Sequence, residues 1–179
     1  MTALDWKYAV LDVPDGGLAV SRAATPAERV PLATALDILA VDHAQLDGRI
    51  RSAGEGRYRL DGTLTADVSQ ACVVTLDPVP ARLAIKLAID FLPQALLPPP
   101  IPTSPDEADA DEEARLAEPI VNGVMDLGEV VFQEIAAALD PYPRLPDAAL
   151  DQTEAGPKDD GGTNPFAKLR NLKLPSDKT

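Results

Sequence analysis

The sequence predicts an α+β fold: an antiparallel sheet of about five strands with two helices packed on it. Three observations carry this reading. Residues 41–51, 57–68 and 83–91 alternate apolar and polar side chains, the period-two pattern of strands with one buried and one wet face. Short turn signals connect them, so the strands form a meander, open or curled into a barrel-like form. Two other stretches, 26–39 and 126–138, place apolar residues at helical spacing behind an N-capping residue. The chain has 179 residues, of which 45% are hydrophobic and only 4% aromatic, so one ordinary domain with an aliphatic core is expected.

Residues 4–13, "LDWKYAVLDV", read as a first strand closed by Pro14-Asp15-Gly16-Gly17. Thr25 caps the first helix, Pro26 takes its first position and Glu28 completes a capping box; the helix is expected near 26–37. Pro31 lies past the first turn and should kink or restart it. Leu32, Ala35, Leu36 and Leu39 keep helical spacing beyond. In the strands, Ala44, Leu46 and Ile50, then Tyr58, Leu60, Leu64, Ala66 and Val68, then Leu83, Ile85, Leu87, Ile89 and Phe91 occupy the core phase. If the second of these strands runs on without a bulge, Cys72, Val74 and Leu76 keep its buried phase, and Asp77-Pro78-Val79-Pro80 makes the turn.

Composition changes at 93–119, which is first proline-rich and then acidic: seven Asp or Glu against one Arg between 104 and 118. A mobile insertion at about 94–118 is expected, without the glycine-turn spacing of a calcium loop. Residues 120–125 suit a short strand. Asp126 then caps a second helix with Glu129 at the box position, and Leu127, Val130, Val131, Ile135 and Ala138 form its apolar stripe. Asp140-Pro141-Tyr142-Pro143 ends it. Residues 1–143 are read as the domain and 144–179 as a flexible tail.

A net charge of −13 disfavours nucleic acid and anionic membranes as direct partners. The N-terminus lacks a signal-peptide pattern, no stretch spans a bilayer, and a lone cysteine forms no internal disulfide. A cytoplasmic protein is expected. His43, the sole histidine, falls on the polar phase of a strand, where a surface residue is favoured over a general base. One His and one Cys do not assemble a zinc site of nitrogen and sulfur ligands, so neither metal nor cofactor is expected. No phosphate loop, dinucleotide fingerprint, nucleophile elbow or zincin motif is present. Cys72 reads as a core residue, with neither a cation nor a helix N-terminus indicated to activate it.

Arg49, Arg51, Arg57 and Arg59 share the polar phase of two adjacent strands. They read either as an ordinary mixed-charge surface, since Asp47, Glu55 and Asp61 lie close, or as an RNA-facing patch. In the tail, Lys168, Arg170, Lys173 and Lys178 stand against Asp177, a local net of +3. Phe166, Leu169 and Leu172 recur near helical spacing there. The segment Asn164, Pro165, Phe166, Lys168, Leu169, Arg170, Leu172 and Lys173 is either a basic amphipathic docking motif or a disordered stretch with chance spacing.

The order "CVVTLDPV", "DLGEVVFQEIAAALDPYPRLP" and "NPFAKLRNLK" resembles the YceD-like family of large ribosomal RNA subunit accumulation proteins, most closely its alphaproteobacterial branch. The resemblance runs through most of the chain. It implies a bacterial or plastid protein linked to accumulation or processing of large-subunit (23S) ribosomal RNA, with no catalytic residues to carry over. Positions shared with the family are Cys72, Leu76, Asp77 and Pro78; Asp126, Leu127, Gly128 and Glu129; and Asn164, Pro165, Phe166 and Leu169. Many members have C-x-x-C where this chain has Cys72-Val73-Val74-Thr75, so a role for a cysteine pair is in doubt.

The first functional expectation is a non-catalytic ribosome-biogenesis factor acting through basic ribosomal or assembly proteins. Association with large-subunit ribosomal RNA would be indirect or weak, and no membrane or small-molecule substrate is implied. The alternative is a direct RNA-binding module using the four arginines. A carboxylate-dependent enzyme ranks below both, because 29 acidic residues always permit some pairs.

Overall fold

The computed structural model describes residues 4–97 and 117–149. Most of the expected insertion and the whole tail motif at 164–173 lie outside the described residues. In chain order the elements are β1 (Lys7–Ala9), a 3-10 turn (Val10–Asp12), β2 (Leu18–Ala23), α1 (Pro26–Ala35), β3 (Ala40–Gly54), β4 (Arg57–Ala71) and β5 (Pro78–Pro93). A 3-10 turn (Gln94–Leu96), β6 (Glu118–Ile120), β7 (Val124–Asp126) and α2 (Leu127–Ala138) follow. A five-stranded sheet has the order β2-β3-β4-β5-β6; β1 and β7 form a separate antiparallel pair. Strands β3, β4 and β5 are the expected meander; β2 extends it antiparallel at one edge and β6 adds in parallel on β5, so the sheet is mixed and not closed into a barrel.

The alternation fixes the register. Leu46 pairs with Leu64 and Ile50 with Leu60, and all four are fully buried. Leu64 pairs with Ile85 and Leu60 with Ile89, so one face is continuously aliphatic across three strands. A one-residue slip would turn every one of these side chains to water. At mid-sheet two glycines, Gly48 and Gly62, stand opposite each other on this face. A Cβ on Gly62 would lie 2.5 Å from the Asp47 carbonyl oxygen, and one on Gly48 would lie 2.7 Å from that of Asp61. Backbones this close require glycine, which lets long strands bend.

Leu4 and Trp6, which precede β1, and residues from α1 and α2 complete the core. Trp6 is fully buried, and its indole N–H donates to Glu28 Oε1 at 3.0 Å while the Arg22 guanidinium lies 5.3 Å from the ring centroid. One aromatic thereby ties the N-terminal segment to α1 and β2. The capping box of α1 is complete: the Thr25 hydroxyl accepts from the Glu28 N–H at 3.3 Å, and the Glu28 carboxylate accepts from the Thr25 N–H at 2.9 Å.

Several expectations need correction. The strand expected over 4–13 is only β1, because β7 offers a partner over just three residues. Strand β2 was not apparent; as an edge strand it buries only Val20 below the surface. α1 stops at Ala35 and keeps Pro31 inside it, since the helix neither breaks nor restarts there. Leu32 and Ala33 are its buried residues, whereas Ala35 and Leu39 face solvent. Beyond Cys72 the alternation fails: β4 ends at Ala71, and Leu76 has φ of 64° and is 76% exposed. The turn is Cys72–Asp77, and Pro78 and Pro80 lie in β5 opposite Ala71 and Ser69. The strand expected at 120–125 is two short strands, β6 and β7, joined through a Val121–Val124 bridge.

α2 begins as expected at Asp126, whose carboxylate accepts the Glu129 N–H at 3.1 Å. The reciprocal arm of the box is not formed; Glu129 accepts from the Gln133 amide at 3.3 Å instead. Leu127, Val130, Val131 and Ile135 are buried, while Ala138 is exposed.

Candidate functional site

Two of the sequence motifs meet at one end of the sheet. The turn after β4 is pinned by Cys72, whose N–H donates to Asp77 O at 2.8 Å and whose carbonyl accepts from the Leu76 N–H at 2.9 Å. Against it lies the segment that follows α2. Gln70, 8% exposed, donates its amide to Asp140 O at 2.8 Å and accepts the Asp140 N–H at 3.2 Å. Its side chain thus satisfies a backbone donor and acceptor that have left the helix. The Val73 N–H donates to Pro143 O at 2.9 Å, and the ordered packing continues to buried Ala148.

Cys72 is fully buried, as the period-two phase implies. Its thiol has nevertheless been lowered to about 7. The Thr75 hydroxyl is the main cause, followed by the Leu145 N–H; burial opposes them, and the Thr75 and Val74 N–H groups add to the lowering. Neither of the activators expected from sequence, a cation or a helix N-terminus, is among these causes. The donors are a side chain three residues on, two amides of the turn and the Leu145 N–H from the segment that follows α2. The Thr75 hydroxyl thus acts as a hydrogen-bond donor to the Cys72 sulfur.

The four arginines share one face of β3 and β4, where Arg51 pairs with Arg59 and Arg49 with Asp61 in register. Two of them are answered by acids. Arg59 forks onto Asp90 at 2.7 and 3.0 Å and reaches Asp61 at 3.3 Å, and Arg51 lies 3.6 Å from Asp61. Arg49 donates to the Gly16 carbonyl at 2.9 Å, and Arg57 has no ion pair among the described residues. These pairs are solvent-exposed and worth little to stability. Their consequence is electrostatic: Asp61 and Asp90 offset much of the positive field. Half-buried His43 sits opposite Asp67 on the same strand pair, with Asp67 also 3.7 Å from Arg82.

Another sequence motif, Asp126, Leu127, Gly128 and Glu129, starts α2. It is separated from the Cys72 turn by the length of the helix, about 18 Å at 1.5 Å per residue. Leu127 donates its N–H to Trp6 O at 2.9 Å and Gly128 packs on the Leu4 backbone, so this motif anchors the N-terminal segment. The structure therefore brings Cys72, Asp77 and Pro78 together with the end of α2, and keeps Asp126–Glu129 apart from them. Gln70 escaped sequence reasoning because it looked like one more strand polar residue; its even phase, shared with Val68 and Cys72, was the available signal.

Among the described residues no group of three or more His, Cys, Asp or Glu is arranged to hold a metal ion, and no helix is long and apolar enough to cross a membrane. A family model described as "Large ribosomal RNA subunit accumulation protein YceD" matches residues 60–173. Neither the curated proteins nor the solved structures give a match.

Proposed function

The chain belongs to the YceD family of large ribosomal RNA subunit accumulation proteins, and on that premise we propose that it is a non-catalytic ribosome-biogenesis factor. It supports accumulation or processing of large-subunit RNA in the cytoplasm by engaging basic ribosomal or assembly proteins. The observation that carries this reading is a net charge of −13, with acids set against the arginine-bearing sheet face. A phosphate backbone approaching such a chain meets repulsion instead of releasing counterions. A basic protein meets attraction that speeds encounter. The acidic stretch at 104–118 extends that attraction, and the tail segment from Asn164 to Lys173 supplies an apolar docking element.

An affinity pull-down at low and high salt, with and without residues 163–179, tests the reading. The expected result is salt-sensitive recovery of basic large-subunit or assembly proteins, reduced by the truncation. Recovery of ribosomal RNA alone would refute it.

Arg57, without an ion pair among the described residues, favours one second reading, direct RNA contact through Arg49, Arg51, Arg57 and Arg59. Charge reversal at these four positions separates the two. Loss of RNA crosslinks with protein recovery intact supports RNA contact.

A further inference from the structure

A cavity of about 400 Å³ opens beside β6, lined by apolar Phe91, Pro119, Val121 and Val124 and walled by three carboxylates, Glu118, Asp126 and Glu129. We propose that this cavity is the docking site for a lysine- or arginine-bearing apolar segment of a basic protein partner, whose cation meets the carboxylate wall while its methylene stem lies on the apolar one. The inference rests on the protein-partner reading above and assigns that reading a place.

The charge distribution selects this site over the rest of the surface. On the sheet face, Asp61 and Asp90 already hold Arg59, and Asp67 lies near Arg82. Among the described residues none of the three wall carboxylates is in an ion pair. Among the described residues Lys7 is the one cation lining it; it stands opposite Asp126 in the β1–β7 pair, and its ammonium is engaged by Asp5 at 3.0 Å. The result is visible at Glu118. Burial, and then the charges of Glu129, Glu134 and Asp126, push its carboxyl above the usual range. A group in that state gains when a cation arrives, because the cation relieves three like-charge repulsions at once. A carboxylate wall beside an apolar floor also discriminates between partners. A phosphate is repelled by the wall, a plain aliphatic segment leaves the carboxylates unanswered, and a long cationic side chain satisfies both surfaces. Sequence reasoning placed Glu118 at the end of an acidic insertion; its pairing in β6 beside Phe91 brings it to the cavity instead.

The test is fluorescence anisotropy on the full chain with a labelled lysine–leucine peptide, against a glutamate–leucine peptide of equal length. The lysine–leucine peptide should bind and the glutamate–leucine peptide should not. Glu118→Gln/Glu129→Gln should weaken binding roughly tenfold, as expected for the loss of charge-assisted contacts. Asp47→Asn/Asp67→Asn, which removes the same charge from the sheet face, should change it less than about twofold. Val121→Lys, at a turn position 44% exposed, places a cation at the cavity and should weaken binding as well, independently of the glutamine pair. Equal weakening by the two double variants, or none by any variant, overturns the assignment. So does displacement of the peptide by large-subunit RNA with the same loss in Glu118→Gln/Glu129→Gln. If the cavity variants still recover basic ribosomal proteins at the wild-type level, the cavity assignment fails and the protein-partner reading stands. If wild-type chain recovers none, both fail.

Discussion

Replacing Gly128 with alanine should destabilise this protein, although helix propensity alone predicts the reverse. Gly128 lies in the first turn of α2, where alanine is favoured over glycine by roughly 0.5–1 kcal/mol. A Cβ built there, however, falls 2.2 Å from the Leu4 carbonyl oxygen, 2.9 Å from its carbon and 3.1 Å from the Leu4 Cβ. Two of these atoms are backbone, so no rotamer change relieves the clash. Leu4 and Trp6 are both fully buried, and the Leu127 N–H donates to Trp6 O at 2.9 Å, which holds the segment against the helix. Overpacking of this kind costs about 1–3 kcal/mol, and a rigid backbone neighbour puts it at the upper end. Subtracting the propensity gain leaves a net loss of about 2 kcal/mol, or a fall in Tm of roughly 4–8 °C for a chain of this length. Urea and thermal unfolding, followed by circular dichroism and by the fluorescence of the sole tryptophan, measure it. Gly16→Ala is the control: nothing lies within 4 Å of a Cβ at that position. Its stability should stay within about 0.5 kcal/mol of wild type. A Gly128→Ala variant as stable as wild type, or more so, refutes the close-packing argument.

Gln70→Ala strips the partners from the Asp140 N–H and carbonyl, and should lower stability by about 2 kcal/mol in the same unfolding assay; an unchanged midpoint contradicts the clamp. Buried Cys72 should react only slowly with a disulfide reagent at pH 8 despite its thiol lying at about 7. In Gln70→Ala it should react faster, as the covering segment loosens, and rapid labelling of native wild type would show that the sulfur is accessible. Burial opposes the charge of Glu28, but hydrogen bonds from the Thr25 N–H and hydroxyl and the Trp6 indole, with Arg22 nearby, outweigh it and hold its carboxyl below the usual carboxylate range. A depressed folded value means stability that is complete above the unfolded pKa and lost as pH falls through the folded one. Glu28→Gln should therefore lose about 1 kcal/mol near neutral pH and converge on wild type in acid. A gap that is constant with pH would assign the effect to something other than charge.

What could be read in advance follows from which forces act locally. The three long strands were legible because every second side chain must choose between core and water; Leu46, Leu60 and Leu64 state that choice repeatedly. Thr25, Pro26 and Glu28 marked the start of α1 through contacts spanning only three residues. β2, and the start and parallel pairing of β6, were not legible because short edge strands depend on distant partners: Leu18 finds Ile50, and Glu118 finds Phe91. The turn at Cys72 was misplaced because Pro78 and Pro80 looked like breakers. Both tolerate a strand whose backbone, opposite Ala71 and Ser69, meets them in register. The site showed the same division. The arginine cluster was visible as a phase, but its neutralisation by Asp90 required β5 to be laid alongside. The donors around Cys72 sulfur include Leu145, 73 positions away in the chain, which no local pattern encodes.

Equilibrium binding of purified chain to large-subunit ribosomal RNA across a salt series tests the central claim, that this protein supports ribosomal RNA without gripping it. No tight binding is expected at physiological salt, with only a shallow dependence on salt concentration. Tight binding that falls steeply as salt rises, lost on reversing Arg49, Arg51, Arg57 and Arg59, would contradict it.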